Sequence, residues 1–321
     1  MAGEANPGFH DLISLADLTA GQINDVLALA DRLKQERREG IQAHPLEGQT
    51  LAMIFEKPSL RTRVTFETGI FQLGGYGLLL ETRLGQRESV PDVARNLERW
   101  VDGIMARTFS HEAVVELAAY ASVPVINALT DKLHPCQILA DAQALREHKG
   151  DLSNLKLAFV GDGNNVCASW FNFAARVPLH VTLVCPDGYE LDPETLAFAE
   201  REAPGRTSMT HDIDAGVADA DAVYTDVWAS MGQEAERKER AAAFAPYQVN
   251  AKLMGLAKKD AVFMHCLPAK RGLEVTDDVI DSPQSIVFDQ AENRLHAQKA
   301  VMQTLMAKGE DGLCAKQRAR Q

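Results

Sequence analysis

Short blocks of consecutive apolar residues alternate along this chain with longer stretches in which apolar and polar positions recur at helical spacing. A compact apolar block bounded by turn residues suits a strand buried on both faces, and the intervening pattern suits an amphipathic helix, so the chain reads β-α-β-α. In the first half the strands fall at "TLAMIF", "GYGLLLE", "DGIMAR" and "VPVINAL", with helices at "ESVPDVARNLERW" and "SHEAVVELAAYA". In the second half "LKLAFVGD", "HVTLVC", "DAVYTDV", "AVFMHCL" and "SIVFD" read as strands. A long helical stretch, "HPCQILADAQALREHKGDL", closes the first half, and Gly150 and Asp151 near its end mark a hinge. The expected fold is α/β with two domains, each a mostly parallel sheet flanked by helices, over residues 1–147 and 148–290. A last amphipathic segment lies within residues 291–321, and its pattern alone does not say which half it packs on.

Composition narrows the class. With 321 residues, 46% hydrophobic and 24% charged, the chain can fill two ordinary cores. A net charge of -12 argues against a nucleic-acid or anionic-membrane surface, yet leaves room for one basic pocket that takes a small anion. The five cysteines, Cys136, Cys167, Cys185, Cys266 and Cys314, are widely spaced without a C-x-x-C pair and read as reduced thiols. No basic region precedes the first apolar residues and no apolar run reaches membrane-spanning length, so a cytoplasmic protein is expected.

Against that acidic background, "FEKPSLRTRVTFE" stands out. Ser59 is an N-cap candidate where a buried strand turns into a helix, and Arg61 and Arg63 put cations at the positive end of that helix. An anion would supply the compensation: free amides, the Ser59 and Thr62 hydroxyls and the Arg61 guanidinium can together surround a phosphate. Arg107 in "MARTFSHE" and His134 and Gln137 in "LTDKLHPCQILAD" fall at further strand-to-helix junctions, where ligands of open α/β sheets collect. Taken singly, each equally suits a surface ion pair or a helix cap.

The second half carries "VGDGNNVCASW", a tight turn that presents the amides of Asn164 and Asn165. It lacks the third glycine and the acidic partner of a dinucleotide fingerprint, which leaves a nicotinamide site poorly supported. "TDVWASMGQE" offers Asp226, Ser230 and Met231 around a small pocket, with a carboxylate and hydroxyl suited to an amino group. "FMHCLPAKRG" places Cys266 and Leu267 at a strand end, and with no triad nearby in sequence Cys266 suits a thiol hydrogen bond better than covalent catalysis. Arg294 in "AENRLH" completes a possible anion cluster.

"SLRTR", "HPCQ", "GDGNN", "DVWASMGQE" and "HCLP" occur here in one order, and together they resemble the ornithine carbamoyltransferases over essentially the whole chain. The resemblance implies a first domain that binds carbamoyl phosphate, a second that binds L-ornithine, and a C-terminal helix returning to the first domain. It implies a trimer with active sites at subunit boundaries. Ser59, Leu60 (by main chain only, where threonine is common), Arg61, Thr62, Arg107, His134, Gln137 and Arg294 match carbamoyl phosphate ligands. Asn165, Asp226, Ser230 and Met231 match the ornithine site, and Cys266 and Leu267 the loop touching both. Arg83 and Gln86, in "RLGQRES", stand where some relatives place a glutamine or histidine donated by the neighbouring subunit. Arg61, Arg107, His134 and Cys266 are the catalytic expectations, and neither metal nor cofactor is expected. A carbamoyltransferase for aspartate, putrescine or an N-acylated ornithine is the nearest rival; a nicotinamide-dependent dehydrogenase and a noncatalytic binding protein stand further off.

Overall fold

The computed structural model describes residues 9–229 and 236–308, which divide into two compact units. One holds the described residues up to Gln143 and those from Asn293 onward; the other runs from Ala144 to Glu292.

In the first unit, helix α1 (Ala20–Arg38) starts at Thr19, whose hydroxyl and the Gln22 amide cap each other's backbone N–H groups. Strands β1 (Thr50–Phe55), β2 (Tyr76–Glu81), β3 (Gly103–Arg107) and β4 (Val125–Leu129) then alternate with α2 (Leu60–Gln72), α3 (Val90–Leu97) and α4 (His111–Tyr120), and α5 (Pro135–Lys149) follows. The sheet is parallel in the order β2-β1-β3-β4. β1, β3 and β4 are buried almost end to end, the environment their unbroken apolar runs require, whereas edge strand β2 is half exposed. Ile54, Ala94, Leu97, Ile104, Val114 and Leu117 pack the sheet against α3 and α4.

In the second unit β5 (Lys156–Val160), β6 (His180–Val184), β7 (Thr207–Thr210), β8 (Ala222–Thr225) and β9 (Val262–His265) form a parallel sheet in the order β7-β6-β5-β8-β9. Its crossovers use α6 (Asn165–Ala174), α7 (Pro193–Glu202), α8 (Ile213–Val217), α9 (Arg237–Phe244) and α10 (Ala251–Met254), and α11 (Asp277–Ile280) follows β9. Because strand side chains alternate, Val160, Val223 and Phe263 meet Val217, Leu253 and Val279 on one face. Phe159 and Tyr224 stack at 5.2 Å, and Trp170 of α6 meets Tyr224 edge-on.

The last helix, α12 (Val287–Met306), belongs to the first unit from Asn293 onward, with Lys34 Nζ of α1 donating to Asn293 Oδ1 at 2.7 Å. The implied return of the C-terminal helix is therefore observed. Two elements depart from the apolar pattern. "SIVFD" is no strand: Phe263 exchanges backbone bonds with Gln284 and Ile286 to form one bridge, and from Val287 the chain is helical. Buried Val287, Gln290 and Arg294 share a face of that helix, so the apolar run is its first turn. β7, "TSMT", escaped the pattern because an edge strand with half-exposed polar residues carries no apolar block. Among the described residues, no helix is long and apolar enough to cross a membrane.

Candidate active site

Each sheet has a topological switch point, where consecutive crossovers leave in opposite directions and the carboxyl ends of adjacent strands open a crevice. In the first unit it lies between β1 and β3. β1 leads into Ser59, which caps α2 by accepting the Thr62 N–H. β3 ends on Arg107, and a register shift against β4 between Ala106 and Arg107 changes the aim of that side chain relative to a regular ladder.

Four of the expected residues converge here through one hydroxyl. Thr62 Oγ1, fully buried, accepts from Arg107 Nη1 at 3.1 Å and from Arg294 Nη2 at 3.3 Å. Arg294 Nη1 also donates to Gln137 Oε1 at 2.5 Å, and Gln137 Nε2 donates to the buried Asp141 carboxylate at 2.7 Å. Gln137 stands in the first turn of α5, which Pro135 opens with a fixed backbone φ. His134, immediately before it, is buried, and desolvation holds its imidazole well below the usual histidine range, with Arg294, Arg107 and Arg61 adding in that order. His134 is therefore neutral and donates through one ring nitrogen only.

The other expected residues of this unit lie apart. The Leu60 side chain is 76% exposed, leaving only its main chain to serve at the helix start. Arg83 and Gln86 sit on the exposed loop after β2, and the Arg83 guanidinium approaches the Phe109 ring rather than the arginine cluster. Glu56, which the sequence reading passed over, organises that region. Its Oε1 accepts from Leu84 N and its Oε2 from Phe109 N, both at 2.9 Å, tying the loops that follow Arg83 and Arg107 to the end of β1. Its position directly after a buried strand was the available signal.

In the second unit the switch point lies between β5 and β8. Gly163 of the turn after β5 packs so closely on the Glu190–Leu191 peptide that a Cβ would come within 2.5 Å of it. Asn164 then caps α6, its Oδ1 accepting from Val166 N and Cys167 N, while its Nδ2 donates to Asp226 Oδ2 at 2.8 Å. Asp226, just past β8 and mostly buried, also accepts from Val227 N at 2.7 Å and from Cys266 Sγ at 3.0 Å through Oδ1. Asn165 opens α6 and is half-buried, and Leu267 follows Cys266 on the loop after β9. Ser230 and Met231 lie outside the described residues.

Nearby, Arg240 of α9 was overlooked because a helix reading "RKERAAAF" looks like a solvated charged face. It is buried, donating to Asp162 at 2.9 Å, to Glu236 at 2.9 Å and to the Trp228 carbonyl at 3.1 Å. Burial pushes the Asp162 carboxyl up to about 6 against the pull of Arg240, with Asp226 and Glu236 adding to the rise.

Two groups among the described residues bring potential metal ligands together: Asp226, His265 and Cys266, and Asp187, Glu190 and His211. In the first, both His265 ring nitrogens are engaged, Nδ1 by Leu267 N and Nε2 by Glu274, so the imidazole offers no lone pair to a cation as arranged. The second is a surface cluster with partly exposed side chains.

Comparison with known proteins decides the lineage. The model of the aspartate/ornithine carbamoyltransferase carbamoyl-P binding domain matches residues 10–147, and that of the Asp/Orn binding domain matches residues 153–305. The chain belongs to the aspartate/ornithine carbamoyltransferase family. It is 54% identical over 303 residues to the ornithine carbamoyltransferase of Thermococcus kodakarensis, covering 92% of this chain and 96% of that one. It is 52% identical over 299 residues to the enzyme of the same name from Syntrophus aciditrophicus, covering 92% and 99%. Among solved structures, the Pyrococcus furiosus ornithine carbamoyltransferase superposes with a TM-score of 0.92 at 49% identity, covering 96% of this chain and 100% of that chain. The Thermus thermophilus enzyme superposes at 0.83 and 44% identity, covering 92% and 98%. Within this family, both site-bearing crevices of the present chain fall in the stretches matched by the two domain models.

Proposed function

We propose that the chain transfers the carbamoyl group of carbamoyl phosphate to the side-chain amine of L-ornithine, giving L-citrulline and phosphate, a step of arginine metabolism. The observation that carries this reading is the convergence of Arg107 and Arg294 on Thr62, beside a His134 kept neutral by burial and by three guanidiniums including Arg61. Such a site suits a phosphate dianion next to a carbonyl. In it, Ser59, the Leu60 main chain, Arg61, Thr62 and Arg107 hold the phosphate, with Gln137 and Arg294 at the carbamoyl end and Cys266 and Leu267 as further contacts. His134 donates its single N–H to the carbonyl oxygen as negative charge builds there, an effect of about 3 kcal/mol for one well-placed donor.

The neutral ornithine amine attacks the carbonyl carbon; the new C–N bond forms, the C–O bond to phosphate breaks, and the amine proton leaves with the phosphate. Asp226 holds the α-ammonium, with Asn165, Ser230 and Met231 completing the amino-acid site and the Cys266 thiol fixing the Asp226 carboxylate. The chemistry asks for no metal or cofactor. A carboxylate facing an α-ammonium favours free ornithine over putrescine or an N-acylated substrate.

We further propose a cytoplasmic homotrimer without nucleic-acid or membrane partners. Leu60, Val64 and Phe71 along α2, and Tyr76 and Leu78 on edge strand β2, are apolar and exposed, Phe71 to 77%, which suits burial against a second copy. The adjoining loop would carry Arg83 and Gln86 into the neighbour's phosphate site. Incubating the purified protein with carbamoyl phosphate and ornithine, and separately with aspartate, putrescine or N-acetylornithine, tests the reading. Citrulline and phosphate in equal amounts support it, and preference for another amine overturns the ornithine assignment.

A further inference from the structure

The seam between α1 and the part of α12 that belongs to the first unit collects basic side chains from both helices. Lys34, Arg37 and Arg38 stand at i, i+3 and i+4 on α1, one face of that helix. Asn293, His296 and Lys299 repeat every three residues on α12, and Lys34 Nζ donating to Asn293 Oδ1 at 2.7 Å sets the two faces against each other. Lys34 is 4% exposed and Lys299 6%, whereas Arg37 and Arg38 form an exposed rim. The Lys299 stem is fixed by α2, where a Cβ at Gly69 would stand 3.2 Å from Lys299 Cγ. Lys299 nevertheless makes no hydrogen bond or ion pair with a described residue. The carboxylates at this end of α1 are already engaged, Glu36 by Arg32 at 3.6 Å and Glu39 by Gln35 at 2.6 Å.

A buried ammonium without a counter-charge is costly, and four cations held side by side repel one another, so the arrangement calls for an anion from outside the fold. We infer that this seam is a second oxyanion-binding site of the first unit, separate from the crevice at β1 and β3, which takes a small dianion such as inorganic phosphate between Lys34, Arg37, Arg38 and Lys299. The cations of the last α1 turn by themselves suit the negative end of that helix. Lys299 does not belong to that turn; α12 delivers it, and its burial goes beyond what a surface helix end asks for. The field at the seam is felt by its neighbours: after burial, Lys299, Lys34, Arg37 and Arg38 in that order hold the His296 imidazole down, to about 3. Lys299 is itself lowered, first by burial and then by Arg37, with Glu36 opposing. A dianion at the seam would offset this repulsion, and four ammonium and guanidinium groups match its several acceptor oxygens with charge-assisted bonds.

The test uses the full chain, inorganic phosphate as the probe, and chloride at matched ionic strength as the control for screening. Arg61→Leu is carried in every binding experiment to weaken the crevice. Lys299→Met keeps an unbranched stem against Gly69 and removes the charge. Calorimetric titration of the Arg61→Leu chain is expected to show phosphate binding that Lys299→Met weakens about tenfold or more, the loss of one charge-assisted contact. Urea midpoints should move in opposite senses: in chloride Lys299→Met is more stable than its parent, because an uncompensated buried charge is gone, and phosphate raises the midpoint of the parent more than that of the variant. With Arg61 intact, Lys299→Met should keep kcat for citrulline formation within about twofold of the unmutated chain. Should Lys299→Met not fold, Arg37→Gln together with Arg38→Gln, both on the exposed rim, is expected to weaken phosphate about threefold or more. Phosphate affinity within twofold of the parent in these variants overturns the inference, as does a tenfold fall in kcat, which would assign Lys299 to the crevice. Sedimentation that shows Lys299→Met losing subunit association while phosphate binding is unchanged overturns it too, since a carboxylate of a neighbouring copy would then supply the counter-charge.

Discussion

Replacing Asp226 with asparagine separates its two duties. In the folded protein its Oδ1 takes the Val227 N–H and the Cys266 thiol, and its Oδ2 takes the Asn164 amide at 2.8 Å. A carboxylate has about four acceptor sites, so one remains for an incoming ammonium. In Asp226→Asn the oxygen can keep the Oδ1 bonds, but the new NH2 then faces the Asn164 NH2, donor against donor. Asn164 cannot turn to relieve this without giving up its cap of α6, where its Oδ1 accepts from Val166 N and Cys167 N. The fold should lose about 1–2 kcal/mol, the worth of one cap or one buried hydrogen bond. Losing one partner of a mostly buried charged pair costs about 2–5 kcal/mol, so ornithine affinity should fall at least about thirtyfold. Urea unfolding reads the first quantity, and ornithine KM at saturating carbamoyl phosphate reads the second, with carbamoyl phosphate affinity unchanged. An ornithine KM within twofold of the parent in a folded variant would refute the assignment of Asp226 to the ammonium.

Thr62→Val keeps the side-chain shape but removes the oxygen that accepts from both Arg107 and Arg294, and carbamoyl phosphate KM, read by titration at fixed ornithine, should rise about tenfold. His134 has a folded-state pKa well below its unfolded value, so the unfolded chain binds more protons and stability falls as pH drops below about 6.5, by up to about 1.4 kcal/mol per pH unit; urea midpoints against pH should show a shallower slope in His134→Asn. His296, held down to about 3 chiefly by burial and then by Lys299, acts in the same direction and should leave a residual slope in that variant. Mixing an Arg61→Leu chain with an Arg83→Ala, Gln86→Ala chain should restore activity absent from either, through hybrid trimers that contain sites with both intact contributions; no recovery after mass-verified subunit exchange would count against a shared site.

Local patterning was enough to find the buried strands and the ends where ligands collect, because a strand covered on both faces must be apolar throughout and its neighbours in sequence reveal it. The same pattern exposed Ser59–Thr62 and "HPCQ", whose placement at strand-to-helix junctions is a property of contiguous residues. Order within each sheet, and hence the two switch points, came only with the folded chain, since periodicity is blind to which strands pair. Long-range polar partners were equally hidden: Arg294 meets Gln137 across 157 positions and Cys266 meets Asp226 across 40, distances over which no local spacing carries information. Misread elements share that origin. β7 is polar because edge pairing, not burial, makes it a strand, and "SIVFD" is apolar because the last helix starts there. Arg240 and the His265–Glu274 pair look like surface charges in sequence, and only packing from elsewhere in the second unit buries them, where each charge and each N–H must find its partner.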